Sequence, residues 1–177
     1  MSLISFNVFF FSLNLEIVCR WQAATNFYPH SARHAFPCYD NPNYRANFQL
    51  SIVHSSSFNS LANAESMGRA DLPNSNVRSN FQYTNAIAPS SLAFFVMSSL
   101  NFVQQTKTIG STEHIVSIRQ TEASFTEKFF NSLDVVVTHV ETMLNSTLPS
   151  ASSHLHHVAL QDFMDNVGGF YRFNYYR

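Results

Sequence analysis

Phe48, Leu50 and Ile52 alternate with Gln49, Ser51 and Val53, the period-two pattern of a strand with one buried face. Residues 55–59 read as a turn and 61–65 as the next short strand. Residues 66–76, carrying Gly68, Pro73, Asn74 and Asn76, read as a loop. Residues 77–84 form a third strand, and the apolar run 91–97 suits a central one. Residues 101–108 and 114–119 complete a β meander. The period then changes. Phe125, Phe129, Phe130, Leu133, Val136, Val137, Val140 and Leu144 recur at helical spacing, predicting one amphipathic helix of about five to six turns. Ser124 and Glu127 have the spacing of a capping box, and Asn145 and Pro149 end the helix. A Ser/His-rich loop leads to a last strand over 158–163.

Composition agrees with a β-rich chain. Aromatics are 15%, with 18 Phe, while charged residues are only 12%, roughly half the usual share. The net charge of −1 gives no electrostatic footprint for nucleic acid or an anionic membrane. Asn145-Ser-Thr147 is the one N-x-[ST] sequon, an acceptor for N-glycosylation in a secreted protein. Cys19 and Cys38 make no disulfide scaffold. A bridge between them is conceivable, and a small buried thiol at Cys38 is the alternative. Residues 1–15 are apolar around Phe9-Phe-Phe11 but lack a preceding Lys or Arg and a small-x-small cleavage site. A signal-peptide core and a hydrophobic strand both stay open; the stretch is too short and polar to span a bilayer.

Residues 32–42, Ala-Arg-His-Ala-Phe-Pro-Cys-Tyr-Asp-Asn-Pro, resemble the ARxAFPCxDEP signature of the aminopeptidase N family of zinc metallopeptidases. Asn41 stands where that family prefers Glu. Phe81, Thr84, Ser91, Leu92, Ala93, Phe94 and Val96 fall on a second family block, and residues 158–163 resemble VALPDF with Gln161 for the proline. Spread over about residues 22–163, the resemblance implies a mainly-β fold: the sandwich-like antiparallel sheets of the family's N-terminal domain with one long helix near the C-terminus. It implies an apolar segment at 1–20, an incomplete N-terminal β domain at 21–122 and the start of the catalytic domain at 123–177. Gly169-Phe-Tyr-Arg172 resembles a family strand that normally precedes the signature. Out of order here, it suggests a tandem duplication, a rearranged locus or a faulty gene model. It also suggests that the tail at 168–176 pairs with residues 21–27.

The family cuts N-terminal residues from peptides with a zinc held by HExxH, and it works outside the cell or at its membrane. No HExxH occurs in these residues, so neither a catalytic residue nor a zinc ligand is assigned. His30 and His34 have zincin spacing, but Ser31 stands at the base position and prolines flank the stretch. His154, His156 and His157 read as a polar loop; in an extended segment, His157 faces away from the other two. The family's amine-recognition segment falls on Thr25-Asn-Phe-Tyr28. Asn26 keeps an amide on a shorter stem, and Tyr28 replaces a carboxylate or amide with a neutral phenol. The GAMEN loop is not intact. The expectation is an aminopeptidase-like fragment, non-catalytic and without cofactor by itself. Its alternatives are a secreted or surface binding module, or an incomplete gene model of an active enzyme. Peptides are its partners by resemblance only, and an open sheet edge invites self-association.

Overall fold

The computed structural model describes residues 3–9, 22–25, 27–110, 112–145, 154–160, 167–170 and 173–176. It divides into two compact units, Met1–Leu100 and Asn101–Arg177.

The first unit holds β1 (Leu3–Phe9), β2 (Gln22–Ala24), β3 (Asn47–Ser55), β4 (Phe58–Ala62), β5 (Ser66–Leu72), β6 (Asn76–Tyr83) and β7 (Phe94–Ser98). One sheet has the order β1-β3-β6-β5 and the other β2-β7-β4. The alternation over β3 is realised: Phe48, Leu50, Ile52 and His54 are buried, and the residues between them are half-exposed. β6 buries Val77, Ser79 and Phe81 in the same manner. β7 is buried at every position, as its uninterrupted apolar run requires of a central strand covered on both faces.

Residues 66–72, expected as loop, are the edge strand β5. All but its last residue are exposed, so no apolar alternation betrays it. Its ladder with β6 holds it, across a turn where Asn74 and Ser75 take positive φ. The apolar start also forms a strand: β1 runs parallel to β3, from Leu3 opposite Asn47 to Phe9 opposite Val53.

The second unit holds β8 (Phe102–Ile109), β9 (Thr112–Arg119), α1 (Thr126–Leu144), β10 (His154–Ala159), β11 (Val167–Phe170) and β12 (Phe173–Tyr176), in one sheet of order β11-β12-β10-β9-β8. β8 and β9 are a hairpin turning at Gly110, whose φ of +61° is glycine's region. β10 is parallel to β9, so α1 is the crossover of a β–α–β unit, the kind of connection parallel neighbours need. Its apolar face packs Phe130 and Val137, with Phe129 and Leu133, on Ile109, Val116 and Ile118 of the hairpin.

Three expectations for this unit are corrected. The capping box does not form: a 3-10 helix, Gln120–Phe125, leads directly into α1, and no side chain caps the junction. The buried stripe is narrower than its sequence pattern, leaving Phe125, Val136 and Leu144 exposed. Among the described residues the tail pairs elsewhere than with residues 21–27: β12 adds parallel to β10 while β2 pairs with β7. Among the described residues no helix is long and apolar enough to cross a membrane.

Candidate functional site

The signature segment is a compact loop in the first unit. Its short 3-10 turn, Ala32–His34, follows from the prolines on both sides, which forbid anything longer. Ala32 and Phe36 are buried, and Phe36 stacks edge-to-face between Phe27 and Phe48, 5.9 Å from each. Asp40 turns inward. Its Oδ2 accepts from the Arg33 backbone N–H at 3.1 Å and from Arg33 Nε at 3.0 Å. Burial alone would raise the Asp40 pKa, but the Arg33 hydrogen bonds and charge, helped by His30, hold it below the usual carboxylate range.

His30 Nδ1 donates to the Asp40 carbonyl at 3.2 Å, so it braces the loop. Thr25, the first residue of the amine-recognition segment, is also committed to the fold: its Oγ1 accepts from the Phe94 N–H at 3.0 Å. Tyr28 lies in a turn with 73% of its surface exposed; Asn26 lies outside the described residues. Tyr39 and Tyr44 are 80% and 61% exposed, with ring centres 5.5 Å apart. Cys38 is a free, half-buried thiol. Burial, then the Asp40 charge, raise its pKa against Arg33, the opposite of what a nucleophilic thiolate needs. Cys19 lies outside the described residues.

Zinc needs three or four converging donors. His30 spends Nδ1 on a carbonyl, and among the described residues no three His, Cys, Asp or Glu side chains gather to hold a metal.

The histidine cluster is a correction. Residues 154–157 form strand β10, not a polar loop, and His156 and His157 are buried. The expected division of faces holds: the His154 and His156 rings meet at 5.0 Å on one side, and His157 lies on the other. There His157 Nε2 meets Nδ1 of His114 at 3.0 Å, and its Nδ1 meets Tyr176 Oη at 2.9 Å. The rings of the three residues stack, and Phe129 of α1 caps His157 and Tyr176 edge-on. Burial, then the neighbouring His114, lower the His157 pKa from 6.5 to about 4. Burial also lowers His114 and raises Tyr176. The signal missed for His114 is its place in step with Val116 and Ile118 on the inward face of β9; Tyr176 carries no comparable signal.

Asn145 caps α1 in the left-handed region at φ 47°, its N–H reaching the Glu141 and Thr142 carbonyls, and it is exposed.

Residues 16–92 match the family described as the peptidase M1 N-terminal domain. A membrane alanyl aminopeptidase of Manduca sexta is 35% identical over 78 residues, which is 44% of this chain and 8% of that protein. Aminopeptidase Q of Mus musculus is 30% identical over 87 residues, 48% of this chain and 16% of the relative. A glutamyl aminopeptidase of Bos taurus is 49% identical over 41 residues, 23% and 4% of the two chains. The aligned stretches thus cover at most 16% of the length of these relatives. Residues 16–92 are similar to the N-terminal domain of the M1 peptidases, and the resemblance to the aminopeptidases rests there.

Proposed function

We propose that these residues are a scaffolding and recognition portion of an aminopeptidase architecture, without hydrolytic activity of their own. The observation that carries the reading is how the signature loop spends its polar groups: Asp40 on Arg33, His30 on the Asp40 carbonyl, Thr25 on Phe94. Each of these contacts braces the loop, with Asp40 Oδ1 buried and without a hydrogen-bond partner, and no three metal donors gather beside it among the described residues. Tyr28 offers a substrate ammonium no charge, and the sequence has no HExxH. By resemblance we assign 21–122 to the β domain and 123–177 to the start of a catalytic domain, with 1–20 as an apolar N-terminal segment.

A binding role for the same loop is favoured by its tyrosines. Tyr28, Tyr39 and Tyr44 are mostly exposed on a loop braced from beneath, which suits large contact area at low entropic cost. A glycan on Asn145 would place this module outside the cell.

The purified chain, supplied with zinc and a panel of aminoacyl anilides, should release no chromophore above the buffer rate. Zinc-dependent turnover by these residues would overturn the reading. The small share of each relative that is covered favours one rival, an active aminopeptidase of which this is one stretch. An in-frame HExxH in the adjoining genomic sequence would establish it.

A further inference from the structure

The Tyr176–His157–His114 column has no part in that reading. It crosses three adjacent strands, β12, β10 and β9, beneath α1. His114 is 1% and His157 2% exposed, and Nε2 of His114 is buried without a partner.

Its proton inventory can be counted. While both imidazoles are neutral, the column holds two ring protons and two bridged contacts. One arrangement satisfies every ring donor: His114 Nδ1–H donates to His157 Nε2, and His157 Nδ1–H donates to Tyr176 Oη. Only a bare lone pair is then unmet, on His114 Nε2. A third ring proton changes this. The bridge between the rings holds one proton, so the other two must occupy the outer nitrogens. Wherever the added proton enters, the pair takes a positive charge and His114 Nε2 becomes a buried N–H with no acceptor among the described residues, a costly state for a polar group.

The charged groups on the facing elements do not relieve it. Lys107 of β8 lies directly across from His114, and an ammonium offers a ring N–H no acceptor. Glu141 of α1 sits at the Gly110 turn, where a Cβ would lie 3.3 Å from its Oε1. Phe129 is the α1 residue on the column, Asn174 shares the Tyr176 face of β12, and Leu155 and Ala159 flank His157 on β10. Among the described residues no carboxylate bonds to either ring.

We propose that this column is an acid-sensitive latch, holding the β11–β12 hairpin on β10 while both imidazoles are neutral and releasing it when the pair takes a proton. The hairpin is the part to yield. β12 has four residues, it pairs with β10 and β11 among the described residues, and Tyr176 is its side-chain tie to the column.

Hydrogen exchange of the full chain tests this, with rates corrected for intrinsic pH dependence and a peptide from β3 as reference. Between about pH 7 and about pH 4.5 the 167–176 peptide should lose protection by about tenfold or more, while the reference changes less. His157→Gln and His114→Gln, which cannot charge, should remove that acid response. Tyr176→Phe should weaken tail protection at neutral pH. Equal tail protection at both pH values, or an undiminished acid response in both glutamine variants, would overturn the latch. Should those variants fail to fold, imidazole carbon and nitrogen shifts of the wild-type chain decide. Two buried rings that stay neutral until the tail opens support the latch, and two that titrate independently near 6.5 refute it.

Discussion

His54 in the first unit and His114 in the second are both buried on the inward face of a strand, yet an added proton finds different surroundings in each. His54 donates from Nδ1 to the Ser55 carbonyl at 2.8 Å, and its Nε2 meets Ser79 Oγ at 2.9 Å. If that Nε2 gains a proton, the hydroxyl turns and accepts, so the charged ring keeps both partners. His114 has a ring nitrogen on one side and nothing on the other. Burial lowers the pKa of both, and Arg69 adds to the effect at His54. What separates them is whether the incoming proton finds an acceptor. Both burials disfavour the charged ring, but a hydroxyl that can reverse keeps the ring's partners while its absence leaves an N–H unmet.

The contrast can be broken most forcefully in the first unit, whose stability is apolar. Phe95 is fully buried on β7, so Phe95→Ala should cost about 3–5 kcal/mol in chemical denaturation without altering the acid response of the tail. Next in size is the pH effect itself. The folded-state pKa of His157 lies below its ordinary value, so the unfolded chain takes the proton first. Stability is therefore full above about pH 6.5 and is lost as pH falls towards about 4. Denaturation of the second unit should show a loss of about 2–3 kcal/mol across that window, and His54→Gln should leave most of it in place.

Arg33→Ala removes the Nε hydrogen bond and the guanidinium charge from an Asp40 carboxyl whose own side chain is only 1% exposed. It should cost about 1–2 kcal/mol and raise the Asp40 pKa measured by NMR, while the backbone N–H bond persists. The smallest effect belongs to the β8–β9 turn. Gly110→Ala forces a side chain into a left-handed position 3.3 Å from Glu141 Oε1 and should cost about 1 kcal/mol in thermal melts.

Where a strand buries alternate residues, as β3 and β6 do, the sequence pattern located it; so did the fully apolar β7. β5 escaped because an exposed edge strand is specified by backbone pairing and has no apolar face to display. The breadth of the helical stripe was overread because Phe125, Val136 and Leu144 keep its period while facing solvent. The signature loop was legible as a family mark, since Pro, Cys and Asp stand in fixed register. The histidine column was not legible. It joins residues 43 and 19 positions apart, and the parallel crossover that unites them depends on where α1 docks. A run rich in Ser and His looks like solvated loop until its partners across the sheet are known.

The reading proposed above is an aminopeptidase-like β domain that holds no catalytic metal of its own. Native mass spectrometry of the full chain after equilibration with zinc and desalting tests that most directly. The account predicts the mass of the metal-free chain, with any adducts removed by mild chelation. A folded chain retaining one zinc per molecule, lost together with aminoacyl anilide turnover on chelation, would contradict it.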